Sequence, residues 1–358
     1  MSFVGNKGEW SEFYAFVKLL ATGRLYAADK NLNAIENSYF PIFKIIRNQN
    51  SKHDTEYTIR AKDETVEIHC DNNVIDRISQ KDLNDIASYL YENIIAKQNR
   101  SFEIKNAQQI MQKLNCTKIS ASSSDKTDIT LQIRVIYTST NPKRCFSIKS
   151  ELGSAPTLLN ASNATNFVFE IKGLDKAKAK NINDISSNTK IKDRINKINE
   201  SGQLNFKLTK NQNFASNLTM VDSWMNEIIA YMLKDYYLHG ISDCKSLIKR
   251  IEEKNPLGYK RSGFYEYKFK KLLSSFALGM MPSKIWNGKD EANGGYIIVK
   301  KDGDIVAYHI YNRDNFETYL LNSTKFDTAS STRHNFASIY NDSDNTMCID
   351  LNLQIRFI

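Results

Sequence analysis

Two short alternating runs near the middle of the chain limit its fold more than any other feature. In Asp128-Ile-Thr-Leu-Gln-Ile-Arg-Val135, Ile129, Leu131, Ile133 and Val135 share one side, and Asp128, Thr130 and Gln132 share the other. That is the period-two pattern of a strand with one apolar face. A turn-rich stretch, Ser139-Thr-Asn-Pro-Lys143, leads into Cys145-Phe-Ser-Ile-Lys-Ser150. There Phe146 and Ile148 point one way, Ser147 and Lys149 the other. The expected product is a β-hairpin that places an acid, a hydroxyl and a lysine on one surface.

The flanking sequence mixes helical and extended signals, so the chain reads as α/β. Trp10, Phe13, Phe16, Val17 and Leu20 form one helical stripe, with Gly23 as its stop. A second helix is predicted from Ile35 to Ile46, bent or restarted at Pro41. Glu56 to Ile75 suggests a hairpin, and Leu83 to Ala96 an amphipathic helix. The Lys/Asn/Ser-rich residues 173–203 fit either an exposed helix or a mobile connector. Helices are expected from Val221 to Tyr237 and from Cys244 to Glu253. The last part of the chain turns to β: Tyr296 to Lys301 and Asp304 to Ile310 flank Asp302-Gly303, a hairpin signal. Ile349, Leu351, Leu353, Ile355 and Phe357 then alternate as one closing strand. No internal repeat is evident.

Composition narrows the class. No run of about 18 apolar residues is present, and the N-terminus lacks the apolar stretch of a signal peptide. A cytoplasmic protein with no membrane partner is expected. The five cysteines, Cys70, Cys116, Cys145, Cys244 and Cys348, form no CxxC pair, and the five histidines show no HxxxH spacing. A disulfide framework and a structural zinc site are therefore not expected. Lys and Arg number 49 against 40 Asp and Glu, a net charge of +9, which favours a polyanionic partner.

Phosphodiester hydrolysis needs a metal to polarise the phosphoryl oxygen, activation of water, and neutralisation of developing charge. Asp128 can ligate Mg²⁺, and Lys149 can hold the attacking water or offset the charge. Glu9 and Glu12 lie one turn apart at the edge of the first helix's apolar stripe, where an acid is costly unless paired or metal-bound. Asn6-Lys-Gly-Glu9 has capping-box spacing, which accounts for Glu9 and leaves Glu12 the better metal-side candidate. Residues 322–336 gather hydroxyls with Lys325, Arg333 and His334. They read either as a polar surface loop or as a loop that grips phosphates and reads guanine.

Several of these segments together resemble one family. Gly5-Asn-Lys-Gly-Glu-Trp-Ser-Glu12, Phe146-Ser-Ile-Lys-Ser-Glu-Leu-Gly-Ser154 with Thr157-Leu-Leu-Asn-Ala-Ser162, Thr324-Lys-Phe-Asp-Thr-Ala-Ser-Ser-Thr-Arg-His-Asn-Phe336 and Leu351-Asn-Leu-Gln-Ile-Arg-Phe357 are similar to the HpaII restriction endonuclease family. The resemblance implies a PD-(D/E)xK nuclease core, a mixed sheet flanked by helices, with a helical and β-rich C-terminal elaboration. Residues 1–205 would form the core, and 206–358 would contribute to DNA recognition, either as two domains or within one continuous domain. It also implies Mg²⁺-dependent cleavage of double-stranded DNA within 5′-CCGG-3′ in a bacterial cytoplasm, alongside a protective methyltransferase. Asp128 then matches the first acid and Lys149 the motif lysine. Ser147 departs from the pattern, standing where a second Asp or Glu belongs. Glu12, Glu9, Glu151 and Glu170 are the candidates for the displaced carboxylate; Glu151 should alternate to the face of Lys149. Lys325, Ser330, Ser331, Thr332, Arg333 and His334 are expected to face DNA, and the palindromic target favours a homodimer. The rival readings are a non-catalytic, site-specific DNA-binding protein with a nuclease-like fold, which Ser147 favours, and an RNA-processing nuclease.

Overall fold

Asn6 starts the first helix as its sequence spacing requires. Its Oδ1 accepts from the Glu9 amide at 3.1 Å, and Glu9 Oε2 accepts from the Asn6 amide at 2.7 Å. Gly23, at φ 64°, ends the helix by donating to Leu19 O, a left-handed stop that glycine adopts without steric cost. The stripe of Trp10, Phe13, Phe16, Val17 and Leu20 is wholly buried, each such side chain stabilising the fold by roughly 1.5–3 kcal/mol.

The structure, a computed structural model, describes residues 3–50, 53–120, 127–134, 140–309 and 312–358. Val135, Ser139 and Ile310, expected in strands or a turn, lie outside the described residues. In chain order the first elements are β1 (Val4–Gly5), α1 (Lys7–Thr22), β2 (Arg24–Ala28), β3 (Ala34–Asn50), β4 (His53–Arg60), β5 (Thr65–Cys70), β6 (Asn73–Ser79) and α2 (Gln80–Ala96). Next come β7 (Phe102–Glu103), α3 (Ala107–Lys113), β8 (Ile129–Ile133), β9 (Lys143–Ser150), β10 (Thr157–Leu159), β11 (Asn166–Lys172), α4 (Lys176–Asn183), α5 (Lys190–Ser201) and β12 (Gln203–Thr209). Then follow α6 (Gln212–Val221), α7 (Met225–His239), α8 (Cys244–Lys254), α9 (Phe264–Leu278), β13 (Gly295–Val299) and β14 (Ile305–His309). The chain closes with α10 (Arg313–Ser323), β15 (Thr324–Phe326), β16 (Ile339–Asn341), β17 (Met347–Asn352) and β18 (Ile355–Phe357). Among the described residues, no helix is long and apolar enough to cross a membrane.

These elements group into two compact units. Residues 1–156 with 290–316 form the first, and 157–289 with 317–358 the second, so position 205 falls inside the second unit. The first unit holds a mixed nine-stranded sheet in the order β2-β14-β13-β9-β8-β3-β4-β5-β6. An additional pairing of β2 with β3 closes six of these strands into a ring, from which β4, β5 and β6 branch as an antiparallel meander. Helices α1, α2 and α3 share one hydrophobic core with the sheet. In the second unit β12-β11-β17-β16 and β10-β18-β15 form two antiparallel sheets, accompanied by α4 to α9.

Three sequence expectations are corrected. Residues 35–46 are not helical but belong to β3. Their β-branched and aromatic side chains suit a pleated surface, and Pro41 stands opposite Arg24 of β2 just before the β8 ladder begins at Ile42, an end position that spares its missing N–H. The closing strand is two strands: β17 pairs with β11, whereas β18 pairs with β10 and β15. The apolar period persists because all five alternating residues bury, although the chain changes sheets at Leu353–Gln354. The C-terminal stretch also contains α10, which the β reading omitted. Residues 173–203 resolve into α4 and α5. The 295–309 hairpin forms as expected, closed by Lys300 N to Asp304 O at 2.9 Å with Gly303 at φ 84°.

Glycine decides how β13 enters the sheet. A Cβ at Gly294 would lie 2.5 Å from a Phe146 ring carbon, and one at Gly295, where φ is 118°, would lie 2.0 Å from Tyr308 O. On the neighbouring β14, His309 is buried, its ring 4.6 Å from that of Phe40 and 6.2 Å from that of Phe146.

Burial, aided by nearby Arg144, lowers the His309 imidazole from its ordinary value near 6.5 to about 4. The unfolded chain therefore takes up this proton first as the pH falls. Stability should drop between pH 6.5 and 4, by up to about 1.4 kcal/mol per pH unit. His309→Phe keeps an aromatic ring against Phe40 and Phe146. Urea denaturation across that window should give a flatter pH profile for the variant, and an unchanged slope would rule out His309 as the responsible group.

Candidate functional site

The expected hairpin is present, and its geometry fixes Asp128. β8 and β9 run antiparallel with Ile129 opposite Phe146 and Thr130 opposite Cys145. Asp128 N donates to Phe146 O at 2.9 Å. Its side chain turns back onto β9, where Oδ2 accepts from the Ile148 amide at 2.5 Å and from Ser147 Oγ at 3.2 Å. The carboxylate thus does the work of a main-chain acceptor for the Ile148 amide. Ser147 is only 5% exposed; in this position it orients Asp128.

The other edge of β9 pairs in parallel with β13, Ser147 opposite Tyr296 and Lys149 opposite Ile298. Lys149 is half-buried. Its Nζ lies 6.0 Å from the Tyr296 ring centroid, and it makes no ion pair with any described residue. An ammonium held near an aromatic face without a carboxylate partner keeps its charge available to an anionic ligand.

Helix α1 meets the end of β9 through two hydroxyls. Ser11, fully buried, donates to Lys7 O at 2.6 Å and accepts from Ser150 Oγ at 2.8 Å. Ser150 Oγ also accepts from Leu152 N at 3.0 Å. Glu12 follows Ser11 directly and is half-buried, while Glu9 spends its carboxylate on the helix cap. Glu151 follows Ser150, bonds through its amide to Val299 O at 2.9 Å, and acts electrostatically on Lys300. Glu170 belongs to the second unit, on β11, 3.7 Å from Lys172. The first unit therefore brings Asp128, the residue before β8, against Ser147 on the strand that carries Lys149, with Glu12 and Glu151 next to the residues at the end of β9. Among the described residues, no three His, Cys, Asp or Glu side chains gather into a ready-made cation cage.

In the second unit, residues 330–336 form an anchored turn. Arg333 N donates to Ser330 Oγ at 3.3 Å, His334 N to Ser330 O at 3.1 Å, and Phe336 N to Ser331 O at 3.2 Å. Phe336 and Ala337 are buried, and Asn166 Nδ2 of β11 donates to His334 O at 2.9 Å. Ser330, Thr332 and Arg333 are exposed; Ser331, His334 and Lys325, the last on β15 opposite Arg356, are half-exposed. Neither Lys325 nor Arg333 forms an ion pair with a described residue. The Ser11–Ser150 link and the Asn166 anchor span 139 and 168 residues of sequence. Local periodicity carries no signal for contacts of that range.

The family model described as HpaII restriction endonuclease matches residues 6–357. Over 361 aligned residues, covering 99% of each chain, the sequence is 40% identical to the type II restriction enzyme HpaII of Haemophilus parainfluenzae. No solved structure matches the chain.

Proposed function

Because the chain belongs to the HpaII restriction endonuclease family and is thus a type II site-specific deoxyribonuclease, we propose that it cuts both strands of DNA within 5′-CCGG-3′ by Mg²⁺-dependent hydrolysis. The β8–β9 pair is then the catalytic edge of a PD-(D/E)xK core. One observation carries this reading: Asp128 is held by the Ile148 amide on the strand pair that also carries Lys149, whose ammonium is not neutralised by a described partner.

The donor chemistry suits Mg²⁺. This ion prefers oxygen ligands, keeps several waters, and needs only one or two carboxylates beside the substrate phosphate, so a three-acid cage is not required. Asp128 supplies one carboxylate, and Glu12 is the preferred second, with Glu151 and Glu9 behind it; Glu170 ranks last. Bound Mg²⁺ would polarise the phosphoryl oxygen and favour ionisation of a bound water. Lys149 orients the attacking water or offsets charge on the phosphorane-like transition state. Ser147 donates to Asp128 and takes no metal. In the second unit, Arg333 reads guanine O6 and N7, while Lys325, Ser330, Ser331, Thr332 and His334 contact the DNA backbone. A homodimer would match the two-fold symmetry of the target.

Purified protein mixed with a CCGG-bearing plasmid and Mg²⁺ should yield discrete fragments, with cleavage abolished by EDTA and restored by excess Mg²⁺. A failure to cut over a range of salt, with binding intact, would leave the non-catalytic DNA-binding reading, and breakdown of single-stranded RNA would favour the RNA-processing one. Asp128→Ala and Lys149→Ala should each lower cleavage by about 10³-fold or more while CCGG binding in Ca²⁺ persists. Ser147→Ala, losing one hydrogen bond to the Asp128 carboxylate worth about 1.5–3 kcal/mol, should cost on the order of ten- to a hundredfold, less than loss of Asp128 itself. Near wild-type cutting by either of the first two would dismantle the β8–β9 assignment. Among single Glu→Gln changes at positions 9, 12, 151 and 170, Glu12→Gln should be the most damaging to cleavage. Arg333→Ala should reduce discrimination against a mismatched site by about 1–3 kcal/mol; equal preference before and after substitution would remove it from base reading.

A further inference from the structure

The lysine-rich segment between β11 and β12 has no part in the chemistry above, yet the structure ties it to the recognition loop. Arg194 of α5 is 8% exposed. Its Nη1 donates to Ala337 O at 2.6 Å and to Ser338 Oγ at 3.2 Å, and its Nη2 donates to Asn183 O at 2.5 Å and to Ile185 O at 2.9 Å. One guanidinium therefore joins the end of α4, the α4–α5 connection and the chain just after Phe336. Asn183 adds a second clasp, donating to Ile339 O at 2.9 Å and accepting from Ile339 N at 2.8 Å. Between these anchors Ala337 holds φ 65°, a conformation that non-glycine residues adopt only when their surroundings impose it.

Both helices also carry exposed lysines, interspersed with Asp175, Asp193 and Glu200. Lys176 and Lys180 stand one turn apart on α4, away from buried Ala179 and Ile182, and Lys192 lies on α5. All three are exposed and form no ion pair with a described residue, whereas Lys178 and Lys197 are paired with Asp175 and Glu200. An ordered helix pair that leaves these charges unpaired, clamped to a loop carrying an unpaired arginine, suits a polyanionic backbone. Phosphate contacts set register while base contacts specify.

We infer that the α4–α5 pair is a phosphate-gripping arm, in which Lys176, Lys180 and Lys192 contact the DNA backbone flanking the bases read by the 330–334 loop. Arg194 and Asn183 are the positioning residues that fix the arm to that loop. The inference rests on the reading of 330–334 as the recognition loop, and the partner is duplex DNA. Each lysine engaged releases counterions, so the arm contributes affinity without sequence preference.

The test measures binding of the full-length protein in Ca²⁺ to a CCGG duplex and to a duplex lacking the site, over a salt series. The variants are Lys176→Ala/Lys180→Ala/Lys192→Ala and, in parallel, Arg333→Ala. All three lysines are exposed, so the thermal midpoint should not move. The triple variant should lose affinity for both duplexes by the same factor, at least about tenfold, and its slope of log K against log salt should shrink by about 2–3. An unchanged slope overturns the arm. So does a loss confined to the CCGG duplex, which would mean that the lysines act through the loop's shape. The Arg333→Ala arm reports separately on the recognition loop, so either assignment can fail while the other stands.

Discussion

Main-chain hydrogen bonding along both edges of β9 is the constraint on which the first unit depends. One neighbour, β8, comes from just upstream and runs antiparallel; the other, β13, arrives from far downstream and runs parallel. Glycine at 294 lets the parallel partner lie against Phe146 of β9, and glycine at 295 lets the same strand lie against the Tyr308 carbonyl of β14. Held on both sides, β9 cannot slip by a residue without exchanging the faces of Ser147, Ile148 and Lys149. The Ile148 amide that fixes Asp128 is part of that same strand, so the position of the acid and of the lysine is settled by one ladder.

Polar side chains repeat this strategy at several places where a segment of a candidate site leaves regular structure. Asp128 takes a main-chain amide at the start of β8, the Ser11–Ser150 pair seats α1 on the end of β9, and Asn166, Asn183 and Arg194 hold the turn at 330–339. A buried donor or acceptor left unmatched costs about 1–3 kcal/mol, so each anchor both orders its segment and penalises alternatives. Catalysis and base reading share the requirement that groups be in place before the ligand arrives. Ser147 follows the same economy of purpose, because its hydroxyl aims the Asp128 carboxylate at the start of the adjoining strand.

What the sequence made legible was what is local. The α1 stripe with its Asn6–Glu9 cap, and the facing runs at 128–133 and 143–150, are set by neighbours a few residues away. Residues 35–46 misled because an apolar run with a proline fits a kinked helix as well as a long strand shared among β2, β4 and β8. The alternation from Ile349 to Phe357 was real, but period alone cannot reveal that the partners change at Leu353–Gln354. At the site, Asp128 and Lys149 could be picked out by residue type and spacing. The helix α1 contact with β9, which brings Glu12 into consideration, could not, and neither could the clasp of Arg194 on Ala337.

Closure of six strands into a ring has an effect on how the protein meets copies of itself. An open sheet of nine strands would offer two raw edges, each a template for another chain. Here β2 is engaged by both β14 and β3, leaving the outer side of β6 as the main uncovered edge among the described residues. That strand carries Asp76 and Arg77, and its pairing with β5 slips register near Ile68–His69. Charge and irregularity at an edge discourage strand addition. Those two charges and the irregular register oppose association by extension of the sheet, against the pull of Val74 and Ile75, which the same strand leaves exposed.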